Sequence, residues 1–462
     1  MVHIWWVMFR KSDKLLKNWV VSESRKPLVL RGARQVGKST LVRRVVADSS
    51  FDLVEVNCEK HPELDAVFAS LSVTKIIDEI ESLPGRRSIG RQSVLFLDEI
   101  QATPHALAAL RYFYEERPEI KVICAGSLLE FALEQHGFSM PVGRVEFHHV
   151  VPMDFEEFLL ACGEEKLHRV LQTFTLNNPM SANQHSRLLE LQQLYLYTGG
   201  MPEAVREYAA QRRISVARDV HESILETYKL DFSKYGLKHD LPRLGQLLDH
   251  CAQQVSRRVK FTNLLADEQS RTVRRLLNLL IQARVLSTVT HSDANDLPLG
   301  AEARPDILKL LMLDVGLMNA LVGVTWNQFK DPAGALNIRD GAVAEQFIGQ
   351  ELIATVGHGK QKLHYWLRDG KTANAEVDYL VDVGDTVAPI EVKAGKSGTL
   401  RSLRTFCESK RPRTAFRFDA QLPSIQQIPF ESQSATAKSN EKLWTLVSLP
   451  LYACCQLTRL HR

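Results

Sequence analysis

The chain has 462 residues, enough for two to four domains, and its 45% hydrophobic and 24% charged residues are ordinary for a globular protein. A net charge of +4 is too small to argue for or against a nucleic-acid partner, so local patches must decide that point. The seven cysteines contain no C-x-x-C pair, which argues against zinc. Their odd number and scattered positions predict reduced thiols, as in a cytoplasmic protein.

The first residues are apolar but do not predict a membrane segment. Ile4-Trp-Trp-Val-Met-Phe9 is too short to span a bilayer and lacks the charged start and cleavage site of a signal peptide. Translation could also begin at Met8. We therefore expect a cytoplasmic protein with no membrane partner, in which residues 1–26 form an N-terminal helical extension.

A phosphate-binding loop follows. Gly32-Ala-Arg-Gln-Val-Gly37-Lys38-Ser39 fits G-x-x-x-x-G-K-[ST] without a mismatch, after a predicted strand at Leu28–Leu30 and before a predicted helix. The backbone N–H groups of such a loop surround a phosphate, and the helix N-terminus adds positive field. Lys38 is expected to reach the β- and γ-phosphates, and Ser39 to bind Mg²⁺. The predicted ATP-binding residues are Gly32, Ala33, Arg34, Gln35, Val36, Gly37, Lys38, Ser39 and Thr40.

Further apolar runs alternate with helical patterns up to about residue 150 and predict a mainly parallel sheet covered on both faces. The predicted strands after the first are Leu53–Val56, Val94–Leu97, Val122–Ala125 and Val145–Val151. The third predicted strand ends in Asp98 and Glu99, which suit an Mg²⁺ ligand and a general base. The competing interpretation is that both acids begin the next helix.

Two more residues are candidates for the nucleotide site. Ser127 follows the fourth predicted strand, where it could contact the γ-phosphate or simply cap the next helix. Arg144 lies before the fifth and could act as an arginine finger on a neighbouring subunit, which would imply a homo-oligomer, or be an ordinary surface residue.

These motifs, with Tyr197-Thr-Gly-Gly-Met-Pro-Glu203, resemble one group of bacterial and archaeal AAA+ ATPases. That group carries a C-terminal domain of unknown function related to restriction endonucleases. The resemblance implies a five-stranded P-loop NTPase core with Walker A, Walker B and sensor-1 elements. Ser39 stands where the group more often has Thr.

The middle of the chain predicts a helical unit with a winged-helix arrangement. Residues 261–270 and 271–280 predict helix, turn, helix, and residues 281–290 could supply a wing strand. Arg271, Arg274 and Arg275 lie where a recognition helix would meet DNA. The alternative is a packing module whose arginines face solvent or acidic neighbours.

The C-terminal part predicts a second α/β region with a chemical site. Asp378 lies on one predicted strand, and Glu391 and Lys393 share a face of the next. The two carboxylates suit a hard cation such as Mg²⁺ or Mn²⁺, and Lys393 could position water or stabilise charge. Glu345, on a predicted helix upstream, could add a fourth group.

The ordered set of Glu345, Asp378, Glu391 and Lys393 resembles the PD-(D/E)-x-K nuclease fold, although Val377 stands where proline is usual. The segment from Leu311 to Leu317 also matches that C-terminal domain. Basic residues follow and could track a phosphate backbone or line a solvated helix: Lys396, Arg401, Arg404, Lys410, Arg411 and Arg413.

Together these patterns predict an AAA+ ATPase domain at 27–205, a helical and winged-helix region at 206–295, a nuclease-like domain at 296–430 and a tail at 431–462. The leading hypothesis is an ATPase coupled to a domain that binds, and could cleave, DNA or RNA. The second is a nucleotide-dependent switch whose C-terminal domain only binds nucleic acid or protein. A small-molecule phosphotransferase is the third.

Overall fold

A computed structural model describes residues 8–85, 87–131, 143–265, 268–329, 341–356, 362–368, 374–394, 400–430 and 442–461. The chain divides into two compact units. The first comprises Met1–Val151 and Gln282–Val285, and the second comprises Pro152–Ile281 and Leu286–Arg462.

A five-stranded parallel sheet forms the centre of the first unit, in the order β2-β3-β4-β1-β5. Its strands are β1 (Leu28–Arg31), β2 (Asp52–Asn57), β3 (Ser93–Asp98), β4 (Lys121–Ala125) and β5 (Glu146–His149). All five predicted strands are confirmed. β3 and β4 are buried along their whole length, which is why they appear in the sequence as continuous apolar runs.

Helices pack against this sheet: α1 (Ser12–Val21), α2 (Lys38–Ala47), α3 (Leu64–Phe68), α4 (Val73–Ser82) and α5 (His105–Glu116). α4 shows how the sequence specifies them. Its N-cap Ser72 accepts a hydrogen bond from the Lys75 N–H, and Val73, Ile76, Ile77 and Ile80 form its buried face. Each such aliphatic side chain contributes roughly 1.5–3 kcal/mol by leaving water.

Helices make up most of the first half of the second unit. They are α6 (Phe155–Ala161), α7 (Glu165–Thr173), α8 (Ala182–Thr198), α9 (Pro202–Gln211), α10 (Ser215–Asp231), α11 (Leu241–Gln253), α12 (Phe261–Leu264) and α13 (Ser270–Gln282). Later helices are α14 (Val315–Leu321), α15 (Ala342–Thr355), α16 (Arg401–Lys410) and α17 (Leu457–Leu460). No helix among the described residues is both long and apolar enough to cross a membrane.

A mixed eight-stranded sheet completes the second unit, in the order β12-β13-β11-β10-β9-β8-β6-β7. Its strands are β6 (Leu286–Ser292), β7 (Ala303–Met312), β8 (Lys362–Arg368), β9 (Ala375–Val383), β10 (Thr386–Val392), β11 (Thr414–Asp419), β12 (Ser424–Pro429) and β13 (Leu443–Pro450). β9 and β10 form the predicted antiparallel hairpin, and β10 runs parallel to β11.

Two of the predicted domain boundaries separate strands that belong to this one sheet. β6, predicted as a wing strand of the middle region, pairs with β7 and with β8. β13, placed in a C-terminal tail, pairs with β11 and β12. Local patterns cannot reveal partners this far apart in the chain, because alternation marks a strand but not what it pairs with.

Two motifs that carried the family resemblance pack against each other inside the second unit. The Asp314 carboxylate accepts hydrogen bonds from the Gly200 N–H at 2.6 Å and the Leu317 N–H at 3.0 Å. A Cβ added at Gly199 would lie 2.1 Å from the Asp314 carboxylate, and one at Gly200 would lie 2.0 Å from the Met153 carbonyl oxygen. The double glycine is therefore needed for close packing of the backbone.

Candidate functional site

The phosphate loop joins β1 to α2 and is shaped by residues with positive φ. Gly37 has φ 91° and caps α2, while Gln35 has φ 62°. A Cβ at Gly32 would lie 2.2 Å from the Val150 carbonyl oxygen, so a larger residue would displace the loop. The predicted strand, loop and helix are therefore present in the order that phosphate binding requires.

Lys38 is held inside this loop. Its Nζ donates hydrogen bonds to the carbonyl oxygens of Gly32 at 3.0 Å and Ala33 at 2.7 Å. Burial lowers the pKa of the Lys38 ammonium to about 8, although the carboxylates of Glu99 and Asp98 oppose that shift. A phosphate group placed in the loop would stabilise the charged form.

Ser39 and Asp98 lie side by side, as an Mg²⁺ site beside the loop requires. The Ser39 Oγ donates to the Asp98 carboxylate at 2.9 Å, and Arg43 Nη2 lies 3.8 Å from its other oxygen. Burial raises the pKa of Asp98, and the Ser39 hydroxyl opposes that shift. A hydroxyl and a carboxylate at the end of β3 form a suitable oxygen ligand set for Mg²⁺.

Glu99 directly follows this carboxylate and is held by Gln101. Glu99 has φ 51°, and its carboxylate accepts a hydrogen bond from Gln101 Nε2 at 2.6 Å. A Cβ at Gly126 would lie 2.4 Å from Gln101 Oε1, so this glycine leaves space for the amide. Gln101 Oε1 and Ser127 Oγ are both buried and form no hydrogen bond within the described part of the chain. Both atoms are therefore available to a ligand or a water molecule.

Arg144 pairs with a neighbour on the surface of the first unit. Its Nε donates to the Glu115 carboxylate at 2.8 Å, and its side chain is 43% exposed. The segment just before it, including Pro141, lies outside the described residues. An exposed arginine can reach a second protein chain, so the finger role stays a prediction.

The C-terminal residues predicted to act together are neighbours. Val392 N–H donates to the Asp378 carboxylate at 2.7 Å, and Lys393 Nζ is hydrogen-bonded to Glu391. Glu345 joins them through Lys309, whose Nζ lies 3.5 Å from the Glu345 carboxylate and 3.9 Å from that of Asp378. Burial raises the pKa of Glu345 to about 8 and that of Glu391 to about 7.

A metal does not follow from this cluster. Within the described ranges, no three His, Cys, Asp or Glu side chains are arranged to hold a metal ion. Lys309, which the sequence prediction did not include, lies among the carboxylates and also forms an ion pair with Glu376. The predicted residues are therefore neighbours, but the prediction missed the cation beside them.

The arginines of α13 mostly face acidic neighbours. Arg275 binds both oxygens of Asp240, at 2.8 and 2.7 Å, and Arg274 pairs with Asp306 at 2.7 Å. These ion pairs agree with the alternative interpretation of this segment, a packing module whose arginines face acidic neighbours.

Comparison with known families places the nucleotide site within one matched range. Residues 24–159 match the family model described as an AAA domain, and this range contains the loop, the two acids and Ser127. This part of the chain is therefore similar to AAA domains. Residues 189–328 and 340–442 match two domains of unknown function, DUF8612 and DUF4143.

Several solved structures are similar to the chain at low identity. A Walker-type ATPase of Pyrococcus abyssi is 17% identical with a TM-score of 0.41, covering 68% of this chain and 96% of its own. The ORC2 protein of Aeropyrum pernix is 11% identical with a TM-score of 0.33, covering 70% and 95%. DnaA of Aquifex aeolicus is 11% identical with a TM-score of 0.26, covering 60% and 90%. A search of curated proteins gave no match.

Two residues beside the nucleotide site were given no role by the sequence motifs. Gln101 follows Asp98-Glu99 by two positions, so its place next to the acid pair was a usable signal. Arg43 carried no such signal in the sequence. It lies on α2, and only the fold brings its Nε within 2.9 Å of the Glu55 carboxylate and its guanidinium next to Asp98.

Proposed function

We propose that the AAA domain binds Mg²⁺·ATP and hydrolyses it with the residues around the loop. Lys38 neutralises the β- and γ-phosphates, Ser39 and Asp98 hold Mg²⁺, and Glu99 accepts the proton of the attacking water. The observation that supports this most directly is the 2.9 Å hydrogen bond between Ser39 and Asp98, because it joins the loop to the end of β3. Ser127, whose hydroxyl has no hydrogen-bond partner among the described residues, is proposed to contact the γ-phosphate or that water.

Two substitutions test this proposal by separating binding from hydrolysis. Lys38→Ala should weaken ATP binding strongly, whereas Glu99→Gln should retain binding and lose turnover by about 100-fold or more. Glu63→Gln removes an exposed carboxylate from the same domain and serves as the matched control. Normal turnover in Glu99→Gln would eliminate Glu99 as the base.

We also propose that Arg144 completes the nucleotide site of a second copy of the chain. The exposure of the Arg144 side chain supports this role, and the protein would then act as a homo-oligomer. Arg144→Ala and Lys38→Ala should each be inactive alone, and an equimolar mixture should regain part of the turnover. Glu115→Ala, which removes the carboxylate that Arg144 and Arg111 share but leaves Arg144 in place, should keep its activity. Full turnover in Arg144→Ala alone would show that this arginine is only a surface residue.

For the second unit we propose nucleic-acid binding controlled by the nucleotide state. Arg401 and Arg404 are exposed on α16, and such a row of guanidinium groups suits a phosphate backbone. Lys396 of the same predicted row lies outside the described residues. Cleavage, with Mg²⁺ or Mn²⁺ at Asp378 and Glu391, is the competing function. The position of Lys309 favours binding without cleavage.

Binding and cleavage are measured separately. The anisotropy of labelled DNA and RNA, with and without ATP, gives affinity and its salt dependence. Replacing Arg401 and Arg404 together by alanine should reduce the salt slope by about 2. The double variant Lys166→Ala/Arg169→Ala makes the same charge change on exposed positions of α7 and is the control. Divalent-dependent nicking that disappears in Asp378→Ala would establish cleavage instead.

A further inference from the structure

The C-terminal carboxylate cluster contains a buried ammonium group. Lys309 lies on β7, and its side chain is only 4% exposed. Its Nζ lies within 4 Å of three carboxylates: Glu345 at 3.5 Å, Asp378 at 3.9 Å and Glu376, with which it forms the shortest of the three ion pairs. The same Nζ atom lies over the ring of Tyr365, 5.1 Å from the ring centroid.

Burying such a charge is unfavourable unless the surroundings compensate it. An ammonium taken out of water loses several kcal/mol of solvation, and carboxylates at close range repay this. Burial alone would lower the pKa of Lys309, but Glu345, Asp378 and Glu376 together raise it above its ordinary value. The surroundings therefore favour the charged form of Lys309, and its ammonium in turn compensates the charge of the three carboxylates.

The ammonium also takes the position that a metal would need. A hard divalent cation requires several oxygen ligands at about 2.0–2.6 Å around one point. Here the oxygens of Glu345 and Asp378 are directed at a nitrogen atom, and one oxygen of Asp378 is already bound by the Val392 N–H. Lys393 pairs with one oxygen of Glu391 beside them, so each member of the predicted metal pair has one oxygen bound by the protein. The other oxygen of Glu391 is buried and has no hydrogen-bond partner among the described residues.

We propose that Lys309 is the resident cation of this cluster and replaces the divalent metal that the sequence pattern implies. Its ammonium group holds Glu345, Glu376 and Asp378 together, and these three carboxylates have their counter-charge without a metal ion. Lys309 is thus a positioning residue of the second unit. A divalent cation could enter only if the lysine left.

Metal counting on the full chain gives the first test. Mn²⁺ binding is measured by calorimetry and electron paramagnetic resonance in an Asp98→Asn background, which removes the carboxylate of the nucleotide site. The proposal expects the same number of bound Mn²⁺ ions with and without Asp378→Asn. One ion fewer in the Asp378→Asn protein would overturn it.

Replacing the lysine gives the second test. Lys309→Met leaves three carboxylates without their cation and should lower the melting temperature in EDTA by roughly 5–15 °C. Mn²⁺ should restore part of that loss, and adding Asp378→Asn should abolish the rescue. Lys393→Met is the matched control, because Lys393 is 27% exposed and, among the described residues, forms an ion pair with Glu391 only. Its melting temperature should change less, with no Mn²⁺ rescue.

The outcomes of the second test are distinct. A Lys309→Met protein as stable as the wild type in EDTA would overturn the proposal, and so would a folded, destabilised variant that Mn²⁺ does not stabilise. If Lys309→Met does not fold at all, the ion count on the wild type still decides the question. None of these measurements depends on ATP turnover or on cleavage.

Discussion

Titration of Lys38 should be visible in ATP binding. Its ammonium is buried in the nucleotide-free loop, where it donates to two backbone carbonyls, and burial lowers its pKa to about 8. The phosphates of ATP favour the charged form, so ATP binding must return a proton to any Lys38 that has lost it. The number of protons taken up then equals the neutral fraction of Lys38 before binding.

The size of this effect follows from the pKa. A group with a pKa of 8 is neutral in about 10% of molecules at pH 7, about half at pH 8 and about 90% at pH 9. Uptake should therefore rise from about 0.1 to about 0.9 protons per ATP over this range. The apparent affinity for ATP should weaken about tenfold between pH 7 and pH 9, equivalent to about 1.4 kcal/mol.

Calorimetry measures both quantities. ATP is titrated into the Glu99→Gln protein, which should bind without turnover, in buffers that differ in ionisation enthalpy. Lys121→Met is the control, because burial also lowers the pKa of Lys121 to about 8, yet Lys121 lies at the opposite end of β4 from Ser127. Uptake should persist in that variant. If no proton is taken up at pH 9, or if the uptake is lost in Lys121→Met, then Lys38 is not the group that takes up the proton.

Three further outcomes can be measured. Gln101→Ala should lower ATP turnover about tenfold with little change in ATP affinity, because Glu99 loses a hydrogen bond of 2.6 Å that holds its carboxylate; steady-state kinetics would show an unchanged rate if the amide has no such role. Ser127→Ala should also reduce turnover, without loss of unfolding free energy, since its buried hydroxyl has no partner among the described residues; a loss of stability with normal kinetics would contradict this. Burial lowers the pKa of His221 to about 4, so the folded state disfavours its protonation, and the stability present above pH 6.5 should fall by about 3 kcal/mol as the pH drops to 4. Urea unfolding of His221→Gln, which can still donate to the Thr198 carbonyl at 2.8 Å, should show a flatter pH profile.

Local sequence features predicted the nucleotide site well, for a physical reason. Loop residues from Gly32 to Ser39 are contiguous, and their chemistry depends on backbone shape and on one helix terminus. Asp98 ends an apolar run that could only be a buried strand. Parallel strands place their carboxyl ends at one edge of a sheet, so this acid had to lie near the loop.

The C-terminal cluster was less predictable, because its members come from separate elements. The hairpin turn at Gly384 brought Asp378 and Glu391 together, as the pattern indicated. Lys309 lies almost 70 residues before Asp378 on an apolar strand, where a single lysine looks like an irregularity in the pattern. Nothing local could show that this lysine would face the carboxylates.

The sequence by itself therefore determined that the chain contains a P-loop fold, and it predicted a loop, a serine and two acids for the nucleotide site. These features are specified within short segments whose geometry the backbone fixes. Only the tertiary structure decided that Arg43 lies beside Asp98, that β6 and β13 belong to one sheet, and that Lys309 lies among the C-terminal acids. Each of these depends on side chains or strands meeting across the fold, where burial and charge, rather than local propensity, select the partner.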